Sequence, residues 1–477
     1  MHFKHPFEKQ KIVFFTLLSV MIACLLAVDT YAANLGVETT PQQQEVALEP
    51  APADAHTPEV DAHEHEWSMH AQTTYVWQRH GAFYAPYTGP QSLSTASEHA
   101  YSSTFTGYFG IRLWTGAELY FDPEAVQGLS FSQLHGLAGV QNGELQKNGG
   151  TTPQGYYARA FLRQSINLGG DRVPVEDGLN QLAGSYDKHR LVFTLGKITL
   201  TDIFEKSIYA NDSRSQFLNW ALITHGAWDF AADARGYTIG GAAELYWDDW
   251  TLRGGRFMEP KVANGTALDK NITHYHGDQV EIQHDHKLGE LSGSVRVLGF
   301  RNFANAGSYR DALNAVSLVS GVPDVMNVRK ASAKQGYGMS VEQSLTKDIG
   351  IFARASYGDD KIEEYAFAEI DDTVSAGAVS TGSRWGRPDD AVGVAFASNG
   401  LNRDHRDYLA AGGLGGFLGD GRLTHYGREQ VVEVYYKVAL SKGVHFTLDY
   451  QQIKNPGYNA DRHGPVSVCG ARLHLEI

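Results

Sequence analysis

Arg112, Trp114, Glu118, Arg159, Arg163, Arg190, Glu244 and Glu433 are the residues with which this chain could do chemistry. A guanidinium donates hydrogen bonds in a fixed fork, a carboxylate accepts them, and an aromatic face packs against C–H groups. Both signs together therefore suit a neutral solute covered with hydroxyls, which takes bonds from arginine and gives them to glutamate. Tyr108, Tyr120, Tyr246 and Arg472 fall on the same alternation positions. Glu118, Glu244 and Glu433 interrupt any continuous basic path of the kind an anionic polymer would need. Arg112, Glu118, Arg159 and Arg163 are the first choices, because they lie in two well-patterned stretches. The competing role for each is pairing across strands that stiffens a wall.

Those residues need elements that aim them. From Phe105 to Phe121 every second residue is apolar or small, and the set between includes Thr106, Tyr108, Arg112, Trp114, Glu118 and Tyr120. Side chains alternate across a strand, so this run reads as one strand with a hydrocarbon face and a face for water and charge. Its length exceeds an ordinary globular strand and suits a tilted membrane crossing with overrun. The same pattern recurs. Trp67, Met69, Tyr75 and Trp77 oppose Ser68, His70, Gln72 and Gln78, with aromatics at both ends as at membrane interfaces. Similar runs cover 159–168, 190–195, 237–247, 432–440 and 444–450. The stretch 250–258 obeys poorly, because parity cannot place both Arg253 and Arg256 in the lumen without a bulge.

After the first thirty residues no apolar run is long enough for a membrane helix, so a chain that spans a membrane must do so as a closed β-barrel. The fold expected is all-β, a transmembrane antiparallel β-barrel of sixteen strands over 67–477. Sixteen allows about 26 residues for each strand and its connection; fourteen or eighteen fit nearly as well. Lys4, Lys9 and Lys11 precede an apolar core from Ile12 to Val28 and small residues at Ala32 and Ala33. This is a secretory signal peptide, 1–32. Residues 33–66 are rich in Ala, Pro, Glu, Gln and His and read as a disordered periplasmic linker, with His56, His63 and His65 solvated rather than fixed around a metal. The net charge of −14 carries no basic stripe, which disfavours nucleic acid, and none is expected as a partner. With Cys24 in the leader, Cys469 has no disulfide partner.

Several motifs resemble the carbohydrate-selective porin family of Gram-negative outer membranes, the OprB type. Gly136 to Glu144 resembles its early segment. Leu195-Gly-Lys197, Asp202-Ile-Phe204, Tyr209 to Asp212 and Gln216 to Asn219 resemble its central signature. Trp385 to Asp390, Gly419-Asp-Gly421, Glu429 to Tyr436, Asp449 to Gln452 and Asn455-Pro456 resemble its C-terminal part. Two departures are the final Ile477, where such barrels usually end in an aromatic, and an extra residue, His463. The resemblance implies a sixteen-stranded barrel in the outer membrane through which sugars diffuse passively; the solute expected is a monosaccharide such as glucose. It implies sugar solutes and membrane lipid as partners, no cofactor, and either a monomer or a homotrimer. A general diffusion porin and a polysaccharide export barrel are the alternatives.

Three other signals lead elsewhere. His274 with His276, and His284 with His286, could each aim two imidazoles the same way, but no third ligand is identifiable and they read as rim or loop residues. The glycine-rich stretch 412–419 resembles a phosphate loop without its strand and helix, so it reads as a flexible or inward-folded loop. No Gly-x-Ser-x-Gly elbow is present, and the chain is not expected to be an enzyme.

Overall fold

A strand with one apolar face cannot leave its edges unpaired in lipid, so a sheet of such strands must close on itself. In the computed structural model it does, with β1 pairing β2 on one side and β16 on the other. The structure describes residues 64–147, 149–316, 321–359, 361–462 and 464–477. The expected leader, most of the expected linker with His56 and His63, and His463 lie outside the described residues.

In chain order the strands begin with β1 Trp67–His80, β2 Glu98–Trp114, β3 Ala117–Leu129 and β4 Gln154–Val175. Next come β5 Gly184–Ile198, β6 Thr238–Trp247, β7 Trp250–Met258 and β8 His276–Leu288. Then follow β9 Leu291–Ala306, β10 Lys330–Ser344, β11 Ile349–Gly358 and β12 Asp372–Thr381. The last are β13 Ala391–Gly400, β14 Glu429–Ser441, β15 Val444–Lys454 and β16 Val466–Glu476. All sixteen neighbouring pairs are antiparallel. Short connections such as 115–116, 248–249, 289–290 and 442–443 share the end at which β1 starts and β16 stops. Long ones such as 130–153, 199–237 and 401–428 share the other. Short turns mark the periplasmic end of an outer-membrane barrel and long loops the outside. Ile477 closes the seam, exchanging backbone hydrogen bonds of 2.9 and 3.0 Å with Ala71.

The alternation sets the two faces as expected. Trp67, Met69, Phe105, Ile111 and Leu119 point outward and are 42–66% exposed, while Gln72, Thr74, Gln78 and Thr106 are buried inside. The elements differ at one place: Phe105 to Phe121, expected as one strand, is a hairpin. The chain reverses at 115–116, where Gly116 has φ +75°, and Phe109 pairs Phe121 while Arg112 pairs Glu118. Partners across a hairpin share a face, and an even spacing between them is what a continuous strand would also show. The alternation is therefore blind to the turn. Arg253 and Arg256 need no bulge either. Arg253 faces the lumen between Glu244 and Glu281, at 3.1 and 2.8 Å, and Arg256 faces outward in a two-pronged pair with Asp278 at 2.7 and 2.8 Å.

The core of this molecule lies inside the barrel. Loop 199–237, with the short helix α1 Trp220–Ile223, folds inward and buries Phe204, Phe217, Leu222 and Trp228. Its backbone would be stranded away from water without partners, and lumen side chains supply them. Arg354 donates to the carbonyls of Leu222 and Ala210 at 2.7 and 2.5 Å, and pairs with Glu205 at 2.9 Å. Glu281 and Glu342 accept from the Glu205 N–H and the Ser207 hydroxyl at 2.7 and 2.8 Å. Asp229 in turn accepts the N–H groups of Tyr365, Ala366 and Phe367, tying in loop 359–371. Close packing needs missing side chains too: a Cβ on Gly338 would meet the His225 ring at 2.6 Å.

Candidate functional site

The inward loop leans toward β8–β16 and leaves open space along β2–β6, a cavity of about 600 Å³. Four of the expected residues line it: Arg159, Arg163 and Arg190 on β4 and β5, and Glu244 on β6. Arg159 grips Asp202 with two prongs, Nε at 2.7 Å and Nη2 at 2.8 Å, and its Nη1 lies 3.5 Å from Asp122. The Arg163 Nη1 donates to the Asn180 carbonyl at 2.9 Å, and the guanidinium stands 5.1 Å from the Tyr120 ring. Arg190 lies 3.8 Å over the Tyr246 ring, and Glu244 accepts from the Tyr246 hydroxyl at 2.7 Å and from Arg253 at 3.1 Å. Cations, carboxylates and phenol rings are thus interleaved on one wall, each held by its neighbours.

The other four expected residues are placed differently. Arg112 and Glu118 sit at the periplasmic end outside the cavity lining. Arg112 donates to the Ala183 carbonyl at 3.2 Å and lies 3.7 Å from Glu118, which accepts from Tyr120 and Tyr186 hydroxyls at 2.7 and 3.1 Å. Trp114 is on the outer face. The register shifts between Arg112 and Trp114, so Trp114 pairs Ala117 and its indole donates to the outward Gln164 at 2.8 Å. Glu433 faces the lumen but meets polypeptide: its two oxygens accept the N–H groups of Leu218 and Asn219 at 2.6 and 2.9 Å. Arg472 does the complementary job, donating to the carbonyls of Ser213 and Gln216 at 2.6 and 2.8 Å.

A family model described as the carbohydrate-selective porin, OprB family, matches residues 91–476. The chain belongs to this family. It is an outer-membrane porin, a channel and not an enzyme. Among solved structures it is similar to Pseudomonas putida OprB at high pH, with 17% identity over 86% of this chain and 94% of that chain and a TM-score of 0.64. The low-pH structure of Pseudomonas putida OprB follows at 12% identity, 86% and 93% coverage and a TM-score of 0.46. A search of the curated proteins found no match.

The porin's cavity also holds residues that strand alternation does not reveal. Arg214, from the inward loop, donates through Nε to Glu144 at 3.1 Å, through Nη2 to Glu124 at 2.9 Å and through Nη1 to the Tyr108 hydroxyl at 3.0 Å. Burial works against its charge, but Glu144 and Glu124 hold the guanidinium well above its ordinary range. Lys206 and Arg235 reach the same space from the same loop. Burial pulls the Lys206 ammonium down, with Glu244 and Asp202 opposing. Continuing the parity of Glu118 along β3 would have found Glu124. Arg214 lies between the family-like segments 209–212 and 216–219, the one signal that marks its neighbourhood.

Proposed function

We propose that this porin passes carbohydrates, monosaccharides such as glucose, by passive diffusion down their gradient. What carries the reading is the cavity wall where Arg159, Arg163, Arg190 and Glu244 stand among Tyr186, Tyr237 and Tyr246. Hydroxyls find donors and acceptors there, and C–H faces find rings. Basic and acidic side chains balance over the whole lining, so no net charge attracts an ion. Its volume of about 600 Å³ falls in the range of sites that enclose a small molecule. The family description supports the same solute class. Arg112 and Glu118 act in this reading through the architecture near the exit, and Glu433 through the loop it holds.

Swelling of liposomes carrying the purified protein tests this. Glucose and other monosaccharides should enter faster than amino acids and salts of matched size. Entry ordered by size alone would make it a general diffusion porin, and no swelling would sink the open channel.

A further inference from the structure

The connection between β4 and β5 is built unlike the two-residue turns beside it. Pairing of β4 with β3 stops at Ala117 and Gln164, yet β4 continues to Val175. Register shifts around Gly169, and Gly169 and Gly170 at φ +102° and +90°, bend this extension away from the barrel wall. The two strands then pair again from Arg172 with Asp187 to Val175 with Gly184. Gly178 and Gln181 bridge the end around Asn180 at φ +55°, a left-handed position that asparagine tolerates.

The tip returns into the lumen. Leu182 is fully buried and its N–H donates to the Tyr120 hydroxyl at 3.2 Å. The Asn180 side chain donates to Asp122 at 2.8 Å, and Asp122 lies five residues up β3 from Ala117, about 17 Å along the strand. Arg163 and Arg112 donate to the carbonyls of Asn180 and Ala183, and Asp177 lies 3.0 Å from His70 on β1. Side chains of β1, β2, β3 and β4 thus hold the hairpin in place. Leu179, Asn180 and Gln181 at its tip line the same cavity as Arg159 and Arg190.

We propose that hairpin 169–184 is the exit constriction of the porin, a fixed floor whose tip residues Leu179, Asn180 and Gln181 limit which solutes leave toward the periplasm. The extracellular loops narrow the lumen from one side and this periplasmic hairpin from the other. The inference rests on the channel reading but not on which solute the channel prefers.

Two variants of the full chain, measured in planar bilayers and in liposomes, test it. In the first, residues 176–183 are replaced by Asn-Gly, the shortest turn that can join Val175 to Gly184. Single-channel conductance should rise at least twofold, and sugars larger than monosaccharides should begin to enter. The second is Asn180→Cys in a background lacking Cys24 and Cys469, treated with a bulky thiol reagent. Current should fall stepwise on labelling, while Asp171→Cys, at the exposed base of the hairpin, should label without loss of current. Unchanged conductance in a shortened variant that still runs as a folded barrel overturns the proposal. So does full labelling of the Asn180→Cys variant without loss of current, which also decides the matter if the shortened chain fails to fold. A wild-type channel that conducts without preferring sugars would remove the sugar reading and leave this test intact.

Discussion

On β4 to β6, Arg159, Arg163, Arg190 and Glu244 face open space. On β11, β14 and β16, Arg354, Glu433 and Arg472 face the same lumen and meet the backbone of loop 199–237. The residue types and the strand positions are alike on the two walls. What differs is the occupant opposite. Where a loop presses against the wall, its stranded N–H and C=O groups need strong partners, and charged side chains supply them. Where the loop leaves a gap, Arg190 and Glu244 meet Tyr246, and Arg159 and Arg163 hold Asp202 and the Asn180 carbonyl yet still border open space, where a solute can reach them. An anchor and a lining residue should therefore respond differently to removal.

Arg354→Ala should have the largest effect. Arg354 is almost fully buried, and its loss leaves Glu205 and two carbonyls without their partner. Breaking a buried pair of this kind costs about 3–5 kcal/mol. Heat unfolding followed by gel mobility should shift downward, and single-channel recordings should become noisier with a larger mean conductance. Wild-type stability would break the distinction between the walls.

Acid should loosen the same packing through His225, whose ring lies against Gly338. Burial, aided by Arg354 and Arg296 and opposed by Glu205, pulls its imidazole from 6.5 to about 4. Between those values a displaced loop takes up a proton that the packed loop refuses. The packed state therefore loses stability as pH falls from 6.5 to 4, by roughly 3 kcal/mol when the fall is complete. Melting at a series of pH values should show this slope in the wild type, and His225→Phe should lack that share of it.

Glu433→Ala comes next, because it strips two buried N–H groups of their acceptor, at about 1–3 kcal/mol. Increased open-channel noise is expected, without a specific loss of sugar preference. Arg190→Gln should do the reverse. Its guanidinium makes one long bond of 3.3 Å to the Asp187 carbonyl and stacks on Tyr246, so stability should change by less than about 1 kcal/mol. Liposome swelling should show the advantage of sugars over matched solutes shrinking, by up to about tenfold if one hydrogen bond is lost. Trp114→Ala, on the outer face, should leave that advantage unchanged. A change would place its ring back in the solute path.

Period-two alternation was enough to read the barrel, the outward aromatics and the lumen parity of Arg112, Glu118, Arg159, Arg163, Arg190, Glu244, Glu433 and Arg472. It was not enough to see the turn inside Phe105 to Phe121, because the reversal at Gly116 preserves parity. Trp114 was misplaced for a related reason: a register shift beside that turn moves it to the other face. Arg214, Lys206 and Arg235 stayed hidden because an inward loop has no period from which to infer direction.

The chain on its own therefore determined that a barrel forms and, Trp114 apart, which of the expected strand side chains face its lumen, since lipid demands a closed sheet and a strand has only two faces. Which of those side chains hold polypeptide and which remain free beside the cavity was decided only by the tertiary structure. That choice depends on where loop 199–237 and hairpin 169–184 come to rest, and contacts between segments so distant along the chain leave no local mark on the residues that make them.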